Sequence, residues 1–235
     1  MRRLLATTAA ALTLTAPLTA PGQKDEGAMV IRCGDAATRM IALTFDDGPT
    51  QQHTPGVLKV LRKHNIKATF FVTGLGARQH PHLVRAIAAQ GHLVANHSFH
   101  HPKYASLRAW RKQILLTEKA IRNAGVVPSR YYRPPYGIVT SKIRRLCKRL
   151  GYHIVTWSLM APDFRRRPRS AKEIELAVLR YTTAGGIVVL HDGGGDRRRT
   201  VEALPAIIRQ LSRKHSLVRL DRLLGAGQHN RNRCK

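Results

Sequence analysis

Asp46 and Asp47 stand side by side in Thr44-Phe45-Asp46-Asp47-Gly48-Pro49, directly after an apolar run that begins at Met40. Two carboxylates this close oppose each other's ionisation unless a positive partner is at hand, and a bound cation would meet that need. Taken alone, an Asp-Asp-Gly-Pro stretch is an ordinary turn. A second group alters the balance: His97 and His101 lie in Asn96-His97-Ser98-Phe99-His100-His101-Pro102, again after a short apolar run. One turn of helix would bring these i and i+4 imidazoles to the same side and leave His100 pointing elsewhere. Two His and one Asp, with water completing the shell, make the open three-ligand set of a catalytic divalent metal. The competing reading is a surface cluster in a chain that holds 12 His.

Three further groups follow: Arg133-Pro134-Pro135-Tyr136-Gly137, Trp157-Ser158 through Asp163-Phe164, and Leu190-His191-Asp192 ahead of three glycines. Each comes just after a segment with strand character. Expected strands are Met40 to Asp46, Lys67 to Thr73, His92 to His97, Arg130 to Tyr132, Tyr152 to Ser158, Gly186 to Leu190 and Ser216 to Arg219. Between them the apolar period lengthens to that of helices. Thr54 suits an N-cap ahead of Pro55, and Leu107, Trp110, Ile114 and Ile121 form a stripe that stops at Gly125. Further helices are expected at Pro81 to Gln90, Val139 to Leu150, Ser170 to Thr182 and Thr200 to Lys214. Alternation of this kind predicts a parallel sheet with helical crossovers: a single-domain α/β fold, a distorted (β/α)7 barrel, with an open doubly wound sheet as the other solution. All five groups then fall beyond the C-terminal ends of strands, the face on which barrel active sites are built.

The 235 residues allow one ordinary domain, and 43% hydrophobic content supplies a core. Residues 1–20 read as a signal peptide: Arg2 and Arg3 precede an apolar Ala/Thr/Leu stretch from Leu4 to about Ala16, short for a membrane span. Prolines after Ala16 and Ala20 leave the cleavage point, or an uncleaved anchor, open. Residues 21–37 are expected to form a linker, 38–225 the folded domain that carries the five groups and 226–235 a basic tail; the expected location is secreted or cell envelope. Cys147 shares a helical face with Ile143, Leu146 and Leu150 and reads as a buried hydrophobe. Cys33 and Cys234 are then candidates for a disulfide. Lys plus Arg number 41 against 13 Asp plus Glu, a net charge of +28, so an anionic partner or surrounding is expected. Aromatic residues at 6% are too few for a base-stacking platform, and no specific nucleic acid is expected.

The ordered set of motifs, from about Met40 to Leu220, resembles the polysaccharide deacetylase family, also called the NodB homology domain or carbohydrate esterase family 4. The resemblance implies Asp46 as catalytic base and Asp47, His97 and His101 as ligands of one divalent metal, zinc first, with cobalt, nickel or manganese as alternatives. It also implies that Arg133 holds the base, that the Tyr136 N–H helps bind the oxyanion, that Leu190 lines the acetyl pocket and that His191 is the general acid. The fourth motif departs from the family's Asp-x-x-Asp-Trp: the chain has Met160-Ala161-Pro162-Asp163-Phe164. Asp163 remains available to tune His191, while the sugar contacts of the missing tryptophan are in doubt.

The implied activity is removal of acetyl groups from an N-acetylated glycan such as peptidoglycan or a chitin-like polymer, by a monomer without a stable protein partner. Two other readings stand beside it, an O-acetyl esterase acting on acetylxylan and a non-catalytic polyanion-binding protein. Arg165, Arg166, Arg167 and Arg169, with Arg197, Arg198 and Arg199, follow the last two site groups. They are expected to form a basic rim that favours an anionic cell-wall glycan, against the plainer reading of solvated loop arginines.

Overall fold

The computed structural model describes residues 27–164 and 170–225. Nine strands, all paired in parallel, curl into an open barrel wrapped by helices. The central strand β2 (Met40–Asp46) lies between β3 (Thr69–Val72) and β8 (Ile187–His191). From β3 the sheet continues through β4 (Leu93–Asn96), β5 (Tyr131–Tyr132) and β6 (His153–Val155) to β1 (Val30–Ile31). On the other side β8 pairs with β7 (Leu159–Met160), and β9 (Ser216–Leu217) joins the start of β2. Since β1 and β7 end the path, the barrel does not close. All seven expected strands are present, most of them shorter. The two-residue strands β1 and β7 were not expected, being too short to carry a period.

Period-two alternation on β2 decides what the barrel holds. Ile41, Leu43 and Phe45 face outward into the largest core cluster, with Val57, Leu61 and Ile207 from the covering helices. Burying each such side chain contributes about 1.5–3 kcal/mol. Ala42 packs in the barrel interior with Phe71, Ala95 and Ile187, below which Leu220, Leu223 and Leu224 form a plug. Thr44 and Asp46 share the inward face with Ala42, so the chemistry begins where the apolar interior ends.

Helices α1 (Thr54–Lys63), α2 (Gly74–Gln79), α3 (Pro81–Ala89) and α4 (Leu107–Asn123) cover β2 to β4. The other helices are α5 (Ser141–Arg149), α6 (Ala171–Tyr181), α7 (Arg198–Leu211) and α8 (Leu220–Leu224). Two boundary expectations are corrected. Thr54 is not the N-cap of α1: the helix starts at Thr54 itself, and the cap position is His53, whose side chain makes no capping bond. The Thr54 hydroxyl has a tertiary partner instead, donating to Asp192 Oδ2 at 2.6 Å. Leu107 leaves the α4 stripe and is exposed in the first turn, whereas Trp110, Ile114 and Ile121 are buried. Ser170 does cap α6, in a reciprocal box with Glu173.

Cys147 is free and buried, and burial pushes its thiol up to about 12. Cys33 is disulfide-bonded, and Cys234 lies outside the described residues. The expected signal peptide and basic tail also lie outside them, as do Arg165, Arg166, Arg167 and Arg169. No helix among the described residues is long and apolar enough to cross a membrane.

Candidate active site

The C-terminal ends of β2, β3, β4 and β8, with the loops after β5 and β7, surround a cavity of about 500 Å³, a size suited to a small substrate group. Asp46, His97, Tyr136, Met160, Phe164 and His191 are among its lining residues. The sequence groups therefore converge on one cleft.

Arg133 explains how a carboxylate base can be held there. Its guanidinium is fully buried and donates from Nη1 to Asp46 Oδ1 at 2.6 Å and to Thr44 Oγ1 at 2.9 Å. The other side of the fork reaches the Thr156 carbonyl at 3.0 Å, and the plane lies 3.9 Å from the Phe71 ring centroid. A buried arginine with these partners is charged and fixed in orientation, and it fixes the carboxylate.

Asp47, His97 and His101 bring one ligand atom each to within 4.8 Å of one another. Asp47 Oδ1 lies 3.4 Å from both His97 Nε2 and His101 Nε2. It is buried without a hydrogen-bond partner, an arrangement that costs free energy unless something positive meets it. His97 Nδ1 lies 2.7 Å from the Arg133 carbonyl oxygen, which it would serve as donor. That contact leaves Nε2 with its lone pair toward Asp47, as a metal-binding imidazole requires. The donor set fits a divalent ion such as zinc.

The expected helical turn is absent, however. Residues 97–101 form a loop in which Ser98 and His101 take positive φ values of 67° and 55°. The two rings meet, with centroids 4.8 Å apart, because the loop folds back and is pinned by Gln113 Oε1, which accepts the N–H groups of Phe99 and His100. Asp47 and Tyr136 are also left-handed, at φ 71° and 57°. Among the described residues, four of the five non-glycine residues with positive φ thus sit at this cleft, where unusual backbone conformations concentrate when geometry serves function.

The electrostatics follow from these contacts. Burial alone would raise the Asp47 carboxyl, but the approach and charge of His97, with the charges of His101 and His191, hold it well below the usual carboxylate range. Burial would lower His191, yet its hydrogen bond and charge pairing with Asp163 outweigh that and raise it. His191 Nδ1 lies 2.8 Å from Asp163 Oδ1. The Pro162 loop has therefore kept Asp163 beside His191 despite the altered fourth motif. Phe164 is 44% exposed at the mouth, with its ring centroid 6.4 Å from that of His191.

Two expectations fail. Leu190 does not line the pocket: it points outward into the large core cluster, fully buried. Val189 lines the cavity instead, because residues two apart on β8 share a face with His191. Arg197 is not a free rim charge either. It is 6% exposed and donates to the carbonyl oxygens of Gly193, Asp163 and Gly194. Arg198 and Arg199 are exposed but paired with Asp196 and Glu202.

Sequence reading also missed the supports. Thr200 donates to Asp163 Oδ2 at 2.9 Å from the first turn of α7. The Asp192 carboxyl is buried against Gly48, where an added Cβ would come within 2.2 Å of it. Val189 was legible from the alternation around His191, but no local signal marks Thr200 or the Gly48–Asp192 contact.

A parallel barrel whose strand ends hold a carboxylate–guanidinium pair opposite a carboxylate–imidazole pair is a scaffold for acid–base chemistry. The chain belongs to the polysaccharide deacetylase family, whose model matches residues 34–155. It is 38% identical over 178 residues to a peptidoglycan-N-acetylglucosamine deacetylase from Bacillus cereus, covering 74% of this chain but only 64% of that protein. A chitooligosaccharide deacetylase from Sinorhizobium fredii is 38% identical over 192 residues, 76% of this chain and 88% of the relative. Among solved structures, the Bc1960 peptidoglycan N-acetylglucosamine deacetylase superposes with a TM-score of 0.80 at 34% identity, covering 86% of this chain and 95% of that one.

Proposed function

We propose that the protein is a metal-dependent polysaccharide N-deacetylase of the cell envelope or exterior, acting on N-acetylated glycan of the peptidoglycan type. The observation that carries this reading is the placement of Asp46 and His191 on one cavity, each with its own tuning partner and with the Asp47–His97–His101 cluster beside them. A degenerate site would have little use for all three. The disulfide at Cys33 and the leader-like N-terminus support an oxidising compartment.

Asp47, His97 and His101 would hold the divalent ion, and when bound it would polarise an acetyl carbonyl and acidify water. Asp46, oriented by Arg133, takes the proton of the attacking water. Tyr136 stands at the mouth, its ring 4.7 Å from that of His101, and its N–H is the proposed donor to the oxyanion. His191 enters protonated and gives its proton to the leaving nitrogen, which would otherwise depart as a strongly basic anion. Asp163 balances the charge of His191 and orients the ring through Nδ1, leaving Nε2 for the substrate. Val189 and Met160 supply apolar wall for the acetyl methyl.

The test is acetate release by the purified, metal-loaded chain from peptidoglycan, N-acetylglucosamine oligomers and acetylxylan. Release from the first two with loss on chelation supports the proposal. Release from acetylxylan alone would make the protein an O-acetyl esterase, and tight metal binding without acetate from any substrate would make it a binding protein.

A further inference from the structure

Glu118 is the only acidic residue between Asp47 and Asp163 in the sequence, a stretch that contains nineteen Lys or Arg. This stretch builds α1 to α5, and therefore the wall of the cleft on the β3–β6 side. Glu118 is itself fully engaged, with Arg122 at 3.0 Å, Arg130 at 3.4 Å and the Tyr152 hydroxyl at 3.0 Å. The opposite wall differs: there Lys172, Arg198 and Arg199 have acidic partners in Glu175, Asp196 and Glu202. The cleft is electrostatically one-sided.

Fold geometry brings part of this charge to the mouth. A helix that follows a parallel strand runs back antiparallel to it, so its first turn lies at the strand's C-terminal end, beside the site. The first turns of α1 to α5 contain no acid, although an acid there would be favoured by the helix dipole. Arg108 occupies the first turn of α4, and Lys112 follows one turn later on the same side. Arg78 of α2 stacks 5.1 Å from the centroid of Phe99, whose ring lines the cavity. Lys103 comes two residues after the ligand His101 and lies 5.4 Å from the ring of Tyr104, which is 78% exposed. Arg78, Lys103, Arg108 and Lys112 are exposed, and none forms an ion pair among the described residues.

We infer that the α2–α4 wall, through Arg78, Lys103, Arg108 and Lys112, is a docking surface for the carboxylate-bearing part of a glycan polymer whose sugar chain enters the cavity. The inference rests on the deacetylase reading for its choice of glycan over other polyanions. Charge complementarity argues for an anionic polymer, and the surface's continuity with the cavity through Phe99 argues that the polymer is the substrate itself. Exposed guanidinium and ammonium groups on a helical wall can track a flexible chain of spaced carboxylates without a closed pocket.

The experiment measures binding separately from turnover. Full-length protein is co-sedimented with purified peptidoglycan, with the same peptidoglycan after its carboxylates are capped as methylamides, and with chitin, at 50 and 300 mM salt. The tested variant is R78Q/K103Q/R108Q/K112Q. Its control, R62Q/K63Q/K67Q/R149Q, removes four charges from the opposite end of the barrel. The expected result is at least tenfold weaker binding of the first variant to untreated peptidoglycan, near wild-type binding by the control, and loss of the difference after capping or at high salt. Acetate release from short neutral oligomers stays within twofold for both. Equal losses in the two variants, or binding insensitive to capping, would overturn the surface. So would a wild-type preference for vesicles of anionic lipid or for duplex DNA over peptidoglycan. A chain that binds in the expected pattern yet releases no acetate would keep the surface and reject the deacetylase reading.

Discussion

Asp163 grips His191 twice: Oδ1 lies 2.8 Å from the ring Nδ1, and Oδ2 accepts the main-chain N–H of the same residue at 2.9 Å. The Thr200 hydroxyl adds a third bond, to Oδ2. The carboxylate is thus fixed relative to both the backbone and the ring of the proposed acid, so it bears on the acid's protonation as well as on its orientation.

Asp163→Asn tests this through pH. In the proposed mechanism His191 works protonated, so turnover should fall as pH rises through its pKa, which is raised above the ordinary imidazole value. With the carboxylate charge gone, His191 loses the strongest influence that opposes its burial, and the pKa drops. The alkaline limb of kcat should move to lower pH by about one unit or more, and turnover at pH 7.5 should fall roughly 10–10²-fold. An unchanged limb with reduced turnover would leave Asp163 a structural role only.

Asp46 and Arg133 separate chemistry from folding. Asp46→Asn keeps the hydrogen bond from Arg133 and should retain metal while losing about 10²–10⁴ in kcat. Arg133→Met leaves the Asp46 carboxylate buried without its partner and should cost about 3–5 kcal/mol in stability, read by chemical denaturation. Equal stability losses in the two variants would contradict this division.

The ligand assignment is checked by metal content. His97→Ala and His101→Ala should each purify with little bound metal and lose turnover, while His100→Ala, whose ring contacts Gln113 and Phe99, should keep its metal. Dialysis against a chelator should abolish wild-type activity, and zinc or cobalt should restore it. Full metal content in either ligand variant would remove that residue from the site.

The strand–helix alternation and the five polar groups at strand ends made the barrel and the floor of the cleft legible in the sequence. Period and punctuation are local properties, and Asp46, Asp47, His97, His101, Arg133 and His191 occur in short runs that carry them. The residues that escaped are those whose roles arise from tertiary meeting. Thr54 has the sequence context of a helix cap, but its hydroxyl is claimed by Asp192, 138 positions away. Leu190 and Val189 are equally apolar, and only the alternation of β8 tells which one faces the cavity. The positive φ at Ser98 and His101 shows the same limit, since i, i+4 spacing describes a helix and carries no information about a loop that folds back.

Arg197 shows how far a charge run can mislead, and it supports a sharp expectation. With its three carbonyl acceptors and no carboxylate partner among the described residues, it braces the Gly193–Gly194 turn against the Asp163 backbone, holding together the two loops that carry Asp163 and His191. Arg197→Met would leave those carbonyls without their donor, a loss of about 2–6 kcal/mol if two of them go unmet by water. Because the damage is to loop geometry, kcat should fall by the same factor on neutral chito-oligomers and on carboxylated glycan, with no added dependence on salt. Arg198→Gln and Arg199→Gln, on exposed ion pairs, should change stability by no more than about 0.5 kcal/mol. A salt-sensitive loss at Arg197 confined to the charged polymer would mean that its guanidinium meets substrate directly.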